Sequence, residues 1–267
     1  MQDLKIIFIG TPEFGATILN GLIGAGYKPV LVITKPESPV KIIAEKYNIP
    51  VGHSMSNIKD LKPDLVVVAA YGQILPKKIL ETPKYDCLNV HPSLLPKYRG
   101  PSPIQTAILN GDSETGVSII KMAEKVDAGE IISIIKRRIS NVETYETLSL
   151  KLADLGAKLL SETIPGWVAG KIKALSQDET KATYTKILKK EDGLIDWKSP
   201  IDYIERQVRA LNPWPGTYTL YNGRILKILR VEIINDKLII KEVQPEGKKP
   251  MNFDDFLRGH NDFKIPC

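Results

Sequence analysis

Residues 4–9 form an almost uninterrupted apolar run that stops at Gly10-Thr11-Pro12-Glu13-Phe14-Gly15. A short apolar run closed by glycine and proline predicts a buried strand entering a tight turn. From Glu13 to Ala25, Phe14, Ile18, Leu22 and Ile23 share one helical face, and Gly24 and Gly26 end the pattern. Val30 to Thr34 reads as a second strand, Pro39 to Tyr47 as a short helix, Leu65 to Ala70 as a third strand and Cys87 to His91 as a fourth. Strands alternating with amphipathic helices predict an α/β fold with a Rossmann-like, mostly parallel sheet.

Ser102 is placed to cap a helix that has Pro103 at its first position and Gly111 at its exit. Two more strands are expected, at about Gly116 to Met122 and Ile131 to Arg138. Leucines 148, 152, 155 and 159 then draw one stripe along a long helix from Thr144 to Trp167. Here the alternation stops. Leu175 to Lys190 is polar and rich in lysine, as a linker would be. A short helix, Ile201 to Leu211, precedes three strands, Tyr218 to Tyr221, Ile225 to Ile234 and Leu238 to Val243, with turns at Asn222-Gly223 and Asp236. That is an antiparallel meander. The expected division is a catalytic α/β domain over residues 1–175, a linker over 176–195 and a small β domain over 196–267.

Composition narrows the class. The 267 residues are 43% apolar and 25% charged, which excludes disorder as the main state and allows a sizeable core. Apolar runs stay far below the ~18–20 residues of a membrane span, and the start does not read as a signal peptide, so a cytoplasmic protein with no membrane partner is expected. Two cysteines, Cys87 and Cys267, supply neither a disulfide framework nor a multi-cysteine metal site. The formal charge of +6 is uneven: residues 1–170 carry 19 basic and 17 acidic groups, residues 171–267 carry 18 and 14. So small a tilt fits a solvated surface or a weak footprint for a polyanion.

Chemistry concentrates at Leu88-Asn89-Val90-His91-Pro92. In an extended strand Asn89 and His91 point to one face, because side chains alternate with period two. They stand at the carboxyl end of an apolar strand, where open α/β sheets form their ligand crevice. An amide donor beside an imidazole suits a carbonyl oxygen that gains negative charge. A capping Asn and a half-buried structural His is the other reading of the same residues. Lys125-Val126-Asp127-Ala128-Gly129 holds a carboxylate that, folded back, would orient His91; by itself Asp127 reads as a turn residue. The Gly10 to Gly15 turn matches neither G-x-G-x-x-G nor a Walker loop, since Ala16-Thr17 follows Gly15. His53 and His260 have no second ligand at metal spacing, so a metal site is not expected.

The run Asn89-Val90-His91-Pro92-Ser93-Leu94-Leu95-Pro96 continues with Arg99-Gly100, Pro103-Ile104-Gln105, Gly111-Asp112, Glu114-Thr115-Gly116 and Asp127-Ala128-Gly129. In this order the motifs resemble the 10-formyltetrahydrofolate-dependent formyltransferases. Ile7 to Phe14, Ala70-Tyr71-Gly72-Gln73-Ile74-Leu75-Pro76 and Arg209-Ala210-Leu211-Asn212-Pro213-Trp214-Pro215-Gly216 resemble the branch that acts on methionyl-initiator-tRNA. The likeness spans nearly the whole chain and implies Asn89, His91 and Asp127 as catalytic residues. It implies Ser93, Leu94, Leu95 and Pro96 as the loop touching tetrahydrofolate, and Tyr71, Gly72, Gln73, Ile74 and Leu75 as the lining of the pterin pocket. The implied formyl donor is 10-formyltetrahydrofolate, without a metal, and the implied acceptor is the free amine of methionyl-initiator-tRNA, formylated for translation initiation. A monomer with a small OB-like C-terminal β-barrel is expected.

Two departures bear on the acceptor. The branch carries a longer basic insertion where this chain passes directly from Thr34-Lys35-Pro36 to Ser38-Pro39-Val40-Lys41, and its C-terminal β region is longer. Most of the contact with tRNA phosphates then falls to residues 181–249, which hold 14 basic and 9 acidic groups. An amino-sugar nucleotide is the alternative acceptor. Glycinamide ribonucleotide is a weaker one, because enzymes acting on it usually lack the β domain. An RNA-binding protein with an idle site would bind tRNA without turnover.

Overall fold

The computed structural model describes residues 4–56 and 58–263; Cys267 lies outside them. The chain divides into two compact units. The first gathers the residues up to Pro103, Glu114–Arg138 and Ser149–Thr185; the second gathers Ile104–Ser113, Ile139–Leu148 and the residues from Lys186 on.

The first unit opens with β1 (Ile6–Gly10), α1 (Glu13–Gly24), β2 (Leu31–Ile33), α2 (Pro39–Lys46) and β3 (Val51–Gly52). It continues through β4 (Leu65–Ala69), α3 (Lys77–Leu80) and β5 (Cys87–His91). After α4 (Pro103–Leu109), which belongs almost wholly to the second unit, come β6 (Glu114–Lys121), β7 (Ile131–Arg138) and α5 (Tyr145–Val168). The seven strands lie in the order β3-β2-β1-β4-β5-β6-β7. The first five are parallel; β6 runs antiparallel to β5, and β7 antiparallel to β6. The sheet is mixed α/β and mostly parallel, as expected from the sequence.

Strands β1, β4 and β5 are buried along their whole length, which follows from their near-continuous valines, leucines and isoleucines. Because β2 and β3 build to one side of β1 and β4 to the other, the chain reverses beside β1 and opens a crevice at the carboxyl ends there. Gly10 pairs with Ala69 at this edge. A Cβ on Gly10 would stand 2.7 Å from the Ala69 carbonyl oxygen, and one on Gly15 would stand 2.9 Å from it. The glycine-bearing turn thus answers a close backbone crossing. On the exit of β2, the Thr34 and Ser38 hydroxyls are 2.6 Å apart and Ser38 caps α2 through the Lys41 N–H, so the direct connection is a tight one.

The two faces of β5 differ. Val90 faces Gly156 of α5, where a Cβ would lie 2.8 Å from a Val90 methyl and 3.8 Å from a methyl of Ile18 in α1. Cys87, Asn89 and His91 alternate with Val90 and occupy the other face. There Cys87 joins Val66, Val68, Tyr71, Leu75 and Ile79 in a core cluster, and α3 covers it.

In the second unit, α6 (Ile201–Leu211), β8 (Tyr218–Tyr221), β9 (Arg224–Ile234), β10 (Lys237–Pro245), β11 (Met251–Asn252) and α7 (Phe253–Gly259) follow one another. Ile204 and Val208 of α6 pack with Ile228, Val243 and Phe256. Asn222 and Gly223 both have positive φ, as do Asn235 and Asp236, which gives the two hairpins the turn their twist requires. The ladder β11-β10-β9-β8 is antiparallel and separate from the large sheet. Among the described residues its edge strands β8 and β11 do not pair, so the observed element is an open four-stranded sheet and not a closed barrel. The elements that hydrophobic periodicity did not predict are the short ones: β3, α3, β11 and α7 span two to seven residues.

Candidate active site

Asn89 and His91 leave β5 two residues apart, and the loop between β6 and β7 folds back over them with Asp127 at its tip. Asp127 sits at φ +48°, a left-handed conformation that aspartate tolerates. Its Oδ1 accepts Asn89 Nδ2–H at 3.3 Å and its Oδ2 accepts the Gly100 backbone N–H at 2.8 Å. Oδ2 also lies 3.6 Å from His91 Nδ1. On the other side of the ring, His91 Nε2 is 2.9 Å from the carbonyl oxygen of Tyr98. A carbonyl can only accept, so Nε2 carries the proton in this contact and Nδ1 is the atom turned to the carboxylate. Asn89 and His91 are buried, and the second amide N–H of Asn89 has no partner among the described residues. Two ambiguous motifs 36 residues apart are one constellation: an amide donor, an oriented imidazole and a carboxylate.

The loop leaving His91 is held from below. Ser93 is fully buried and its hydroxyl donates to the Lys97 carbonyl at 2.6 Å. Ser118 of β6 donates to the Ser93 carbonyl at 2.7 Å and accepts the Leu95 N–H at 3.2 Å. Leu95 is buried, the Leu95–Pro96 peptide is cis, and Leu94 packs toward Gly116, where a Cβ would lie 2.4 Å from its methyl. Ser93 to Pro96 therefore follow the histidine as a stapled turn.

Of the expected pterin-lining residues, Tyr71 and Leu75 are buried in the cluster with Val66, Val68 and Ile79. Gly72, Gln73 and Ile74 are exposed, Ile74 at 72%. Their loop begins beside His91, since Val68 pairs with Asn89 and Ala70 stands one step past the end of β4. At the neighbouring exit from β1, the Thr11 hydroxyl oxygen is buried without a partner among the described residues.

The sequence did not reveal what braces Asp127. Residues 175–185, read as linker, are built into the first unit. Leu175 bridges Ile131, and Tyr184 bridges Arg99. Gln177 Nε2 donates to the carbonyls of Asp127 at 2.8 Å and Gly129 at 2.7 Å. Its Oε1 accepts Nε–H and NH2–H of Arg99 at 3.0 and 2.8 Å. Arg99 is fully buried, a cost that only complete pairing offsets. All five of its N–H groups are used: two on Gln177, two on Glu179 at 3.1 and 2.6 Å, and one on Tyr184 Oη at 3.1 Å. Arg99 first and Lys125 second hold the Glu179 carboxyl down to about 2. Arg99-Gly100 stands within a recognised motif, yet Gln177 and Glu179 carry no local signal.

His53 and His260 each bond one backbone carbonyl, of Thr34 and Phe256, and among the described residues no group of three potential ligands could hold a metal ion. The described residues also include no helix long and apolar enough to cross a membrane.

Comparison with known proteins bears directly on this constellation. The formyl transferase family model matches residues 52–164, the span that contains Asn89, His91 and Asp127, and the model of the formyl transferase C-terminal domain matches residues 187–238. The methionyl-tRNA formyltransferase of Bacillus velezensis is 42% identical over 301 aligned residues, covering 96% of this chain and 95% of its own. Among solved structures, the methionyl-tRNA formyltransferase from Clostridium thermocellum superposes with a TM-score of 0.65 at 22% identity, over 91% of this chain and 98% of that one. An N-formyltransferase from Helicobacter canadensis, in complex with folinic acid and dTDP-3-aminofucose, gives 0.72 at 18% identity, over 93% and 98%. These two structures share the fold, and the identity carried along almost the full length decides the lineage: the chain belongs to the formyl transferase family.

Proposed function

We propose that this protein transfers the formyl group of 10-formyltetrahydrofolate to the free amine of methionyl-initiator-tRNA. The observation that carries the reading is the convergence of Asn89, His91 and Asp127 in a chain 42% identical, over nearly its full length, to a methionyl-tRNA formyltransferase. The donor set fits a formyl carbonyl and an attacking amine, because it offers N–H groups for an oxygen gaining charge and a carboxylate for a proton. The unpartnered Thr11 hydroxyl at the same edge supports a polar ligand there. When bound, the folate supplies an electrophilic formyl carbon on N10.

The free N–H of Asn89 is the donor available to the formyl oxygen as negative charge develops on it, an interaction typically worth ~2.7–4 kcal/mol of barrier. His91, held at Nε2 by the Tyr98 carbonyl, presents Nδ1, which in its protonated form is a second donor balanced by Asp127. Asp127 receives the proton that the amine sheds as the new C–N bond forms, and returns it to N10 as the old C–N bond breaks. The Ser93, Leu94, Leu95 and Pro96 turn and the Tyr71 to Leu75 loop are assigned to the folate. Residues 181–249, with 14 basic and 9 acidic groups, are assigned to the tRNA through a small OB-like β module.

The test presents the purified protein and the folate donor with methionine-charged initiator tRNA, methionine-charged elongator tRNA and an amino-sugar nucleotide in parallel. Formyl-methionine on the initiator tRNA, well above the other two, is expected. Preferential formylation of the amino sugar, or tRNA binding without turnover, overturns the reading.

A further inference from the structure

At the amino ends of β4 and β5, α3 and the chain entering these two strands line an open groove of about 750 Å³. Its walls hold five lysines, Lys59, Lys62, Lys77, Lys78 and Lys84, all exposed. Two carboxylates face them. Asp64 is engaged by the Lys5 backbone N–H at 2.9 Å, and Glu81 shares Lys77, at 3.9 Å, with Glu124 at 3.5 Å. Lys59, Lys62 and Lys78 form no ion pair with a described residue, and Lys84 lies over the Tyr85 ring at 4.8 Å. Concentrating like charges in one concave surface is unfavourable without a counter-ion, and it raises the local concentration of a polyanion.

The position of the groove relates it to the candidate site. Cys87 Sγ lies 3.6 Å from the Ile79 carbonyl of α3, so α3 covers the Cys87 end of β5, while the candidate site covers the His91 end. Along the strand these ends are ~13 Å apart at ~3.3 Å per residue. Glu124, which touches Lys77, is in the same β6–β7 loop as Asp127. Lysine ammonium groups on flexible stems suit a phosphate backbone, which they bind as point charges without reading bases.

We propose that this lysine groove binds the phosphate backbone of the RNA acceptor as it leaves the site. The inference rests on the reading of charged tRNA as the acceptor. It is tested by replacing Lys59, Lys62, Lys78 and Lys84 with glutamine together and, as a milder version, Lys62 and Lys78 alone. Initiator-tRNA affinity is measured by fluorescence anisotropy from about 50 to 200 mM salt, beside the KM for the folate donor. For the fourfold variant, affinity at low salt is expected to fall at least about tenfold and the salt slope to become shallower, by about 0.7–0.9 for each phosphate that is no longer neutralised. The pair variant is expected to shift part of the way, and the donor KM to stay unchanged. Unchanged tRNA affinity and salt slope in a variant that melts like the wild type overturns the groove assignment. If the wild type formylates no tRNA, the functional reading itself fails, and the two failures are told apart by that control.

Discussion

Gln177 gives both of its amide protons to the loop that carries Asp127, at 2.8 Å to the Asp127 carbonyl and 2.7 Å to that of Gly129. Replacing Gln177 with leucine removes both bonds and the two that its Oε1 accepts from Arg99, which leaves two carbonyls and two buried guanidinium N–H groups short of a partner, at ~1–3 kcal/mol for each one that stays buried. The carboxylate then loses its fixed aim. Steady-state kinetics are expected to show kcat lower by about ten- to a hundredfold, the rate equivalent of ~1.4–2.7 kcal/mol, with KM for donor and acceptor nearly unchanged. An equal loss in KM alone would assign Gln177 to binding.

Much of the fold could be read in advance because it is written locally. The apolar runs of β1, β4 and β5, the stripe of α5 and the Asn-Gly hairpin are short-range signals, and so is the shared face of Asn89 and His91. The brace around Asp127 is not local. Gln177 lies 50 residues from Asp127 and Glu179 lies 80 from Arg99, and the groups they satisfy are a backbone carbonyl and a buried guanidinium. A stretch whose partners are backbone atoms needs no hydrophobic period, so residues 175–185 looked like linker. Closure of the C-terminal meander depends on edge pairing, which strand patterning does not encode.

The Arg99–Glu179 pair sets a pH dependence of stability. Hydrogen bonds from Arg99, then Lys125, hold Glu179 at about 2 in the fold, against an ordinary 4.5. A depressed carboxyl stabilises the fold above its ordinary range and loses that contribution as pH falls toward the folded value. Thermal melts are expected to show Glu179→Gln less stable than wild type at pH 6, with the gap closing between about pH 4.5 and 2. A gap that stays constant over this range contradicts the assignment.

Gly129 begins the return of the Asp127 loop, where a Cβ would stand 1.7 Å from the Lys121 carbonyl oxygen. Gly129→Ala must displace backbone, so a large loss of melting temperature and of activity together is expected. Gly24, at the end of α1, has nothing within 4 Å of its would-be Cβ, and Gly24→Ala is expected to be neutral or stabilising by up to ~1 kcal/mol. Denaturant titrations of the two variants side by side make the comparison.

Burial, with Asp86 adding to it, pushes the Cys87 thiol up to about 12. In a Cys267→Ser background, the native protein at pH 8 is expected to resist a thiol-reactive disulfide reagent until it is unfolded. Rapid labelling of the folded protein contradicts the buried position on the α3 face.

The most direct test of the account is the single-turnover rate of formyl transfer to methionine-charged initiator tRNA by wild type, Asn89→Ala, Asp127→Ala and the double variant, at saturating donor. If Asn89 and Asp127 act as one unit with His91, each single change lowers the rate by about 10²–10³ and the double variant falls far short of the product of the two losses. A folded Asn89→Ala or Asp127→Ala protein that transfers the formyl group at the wild-type rate would contradict it.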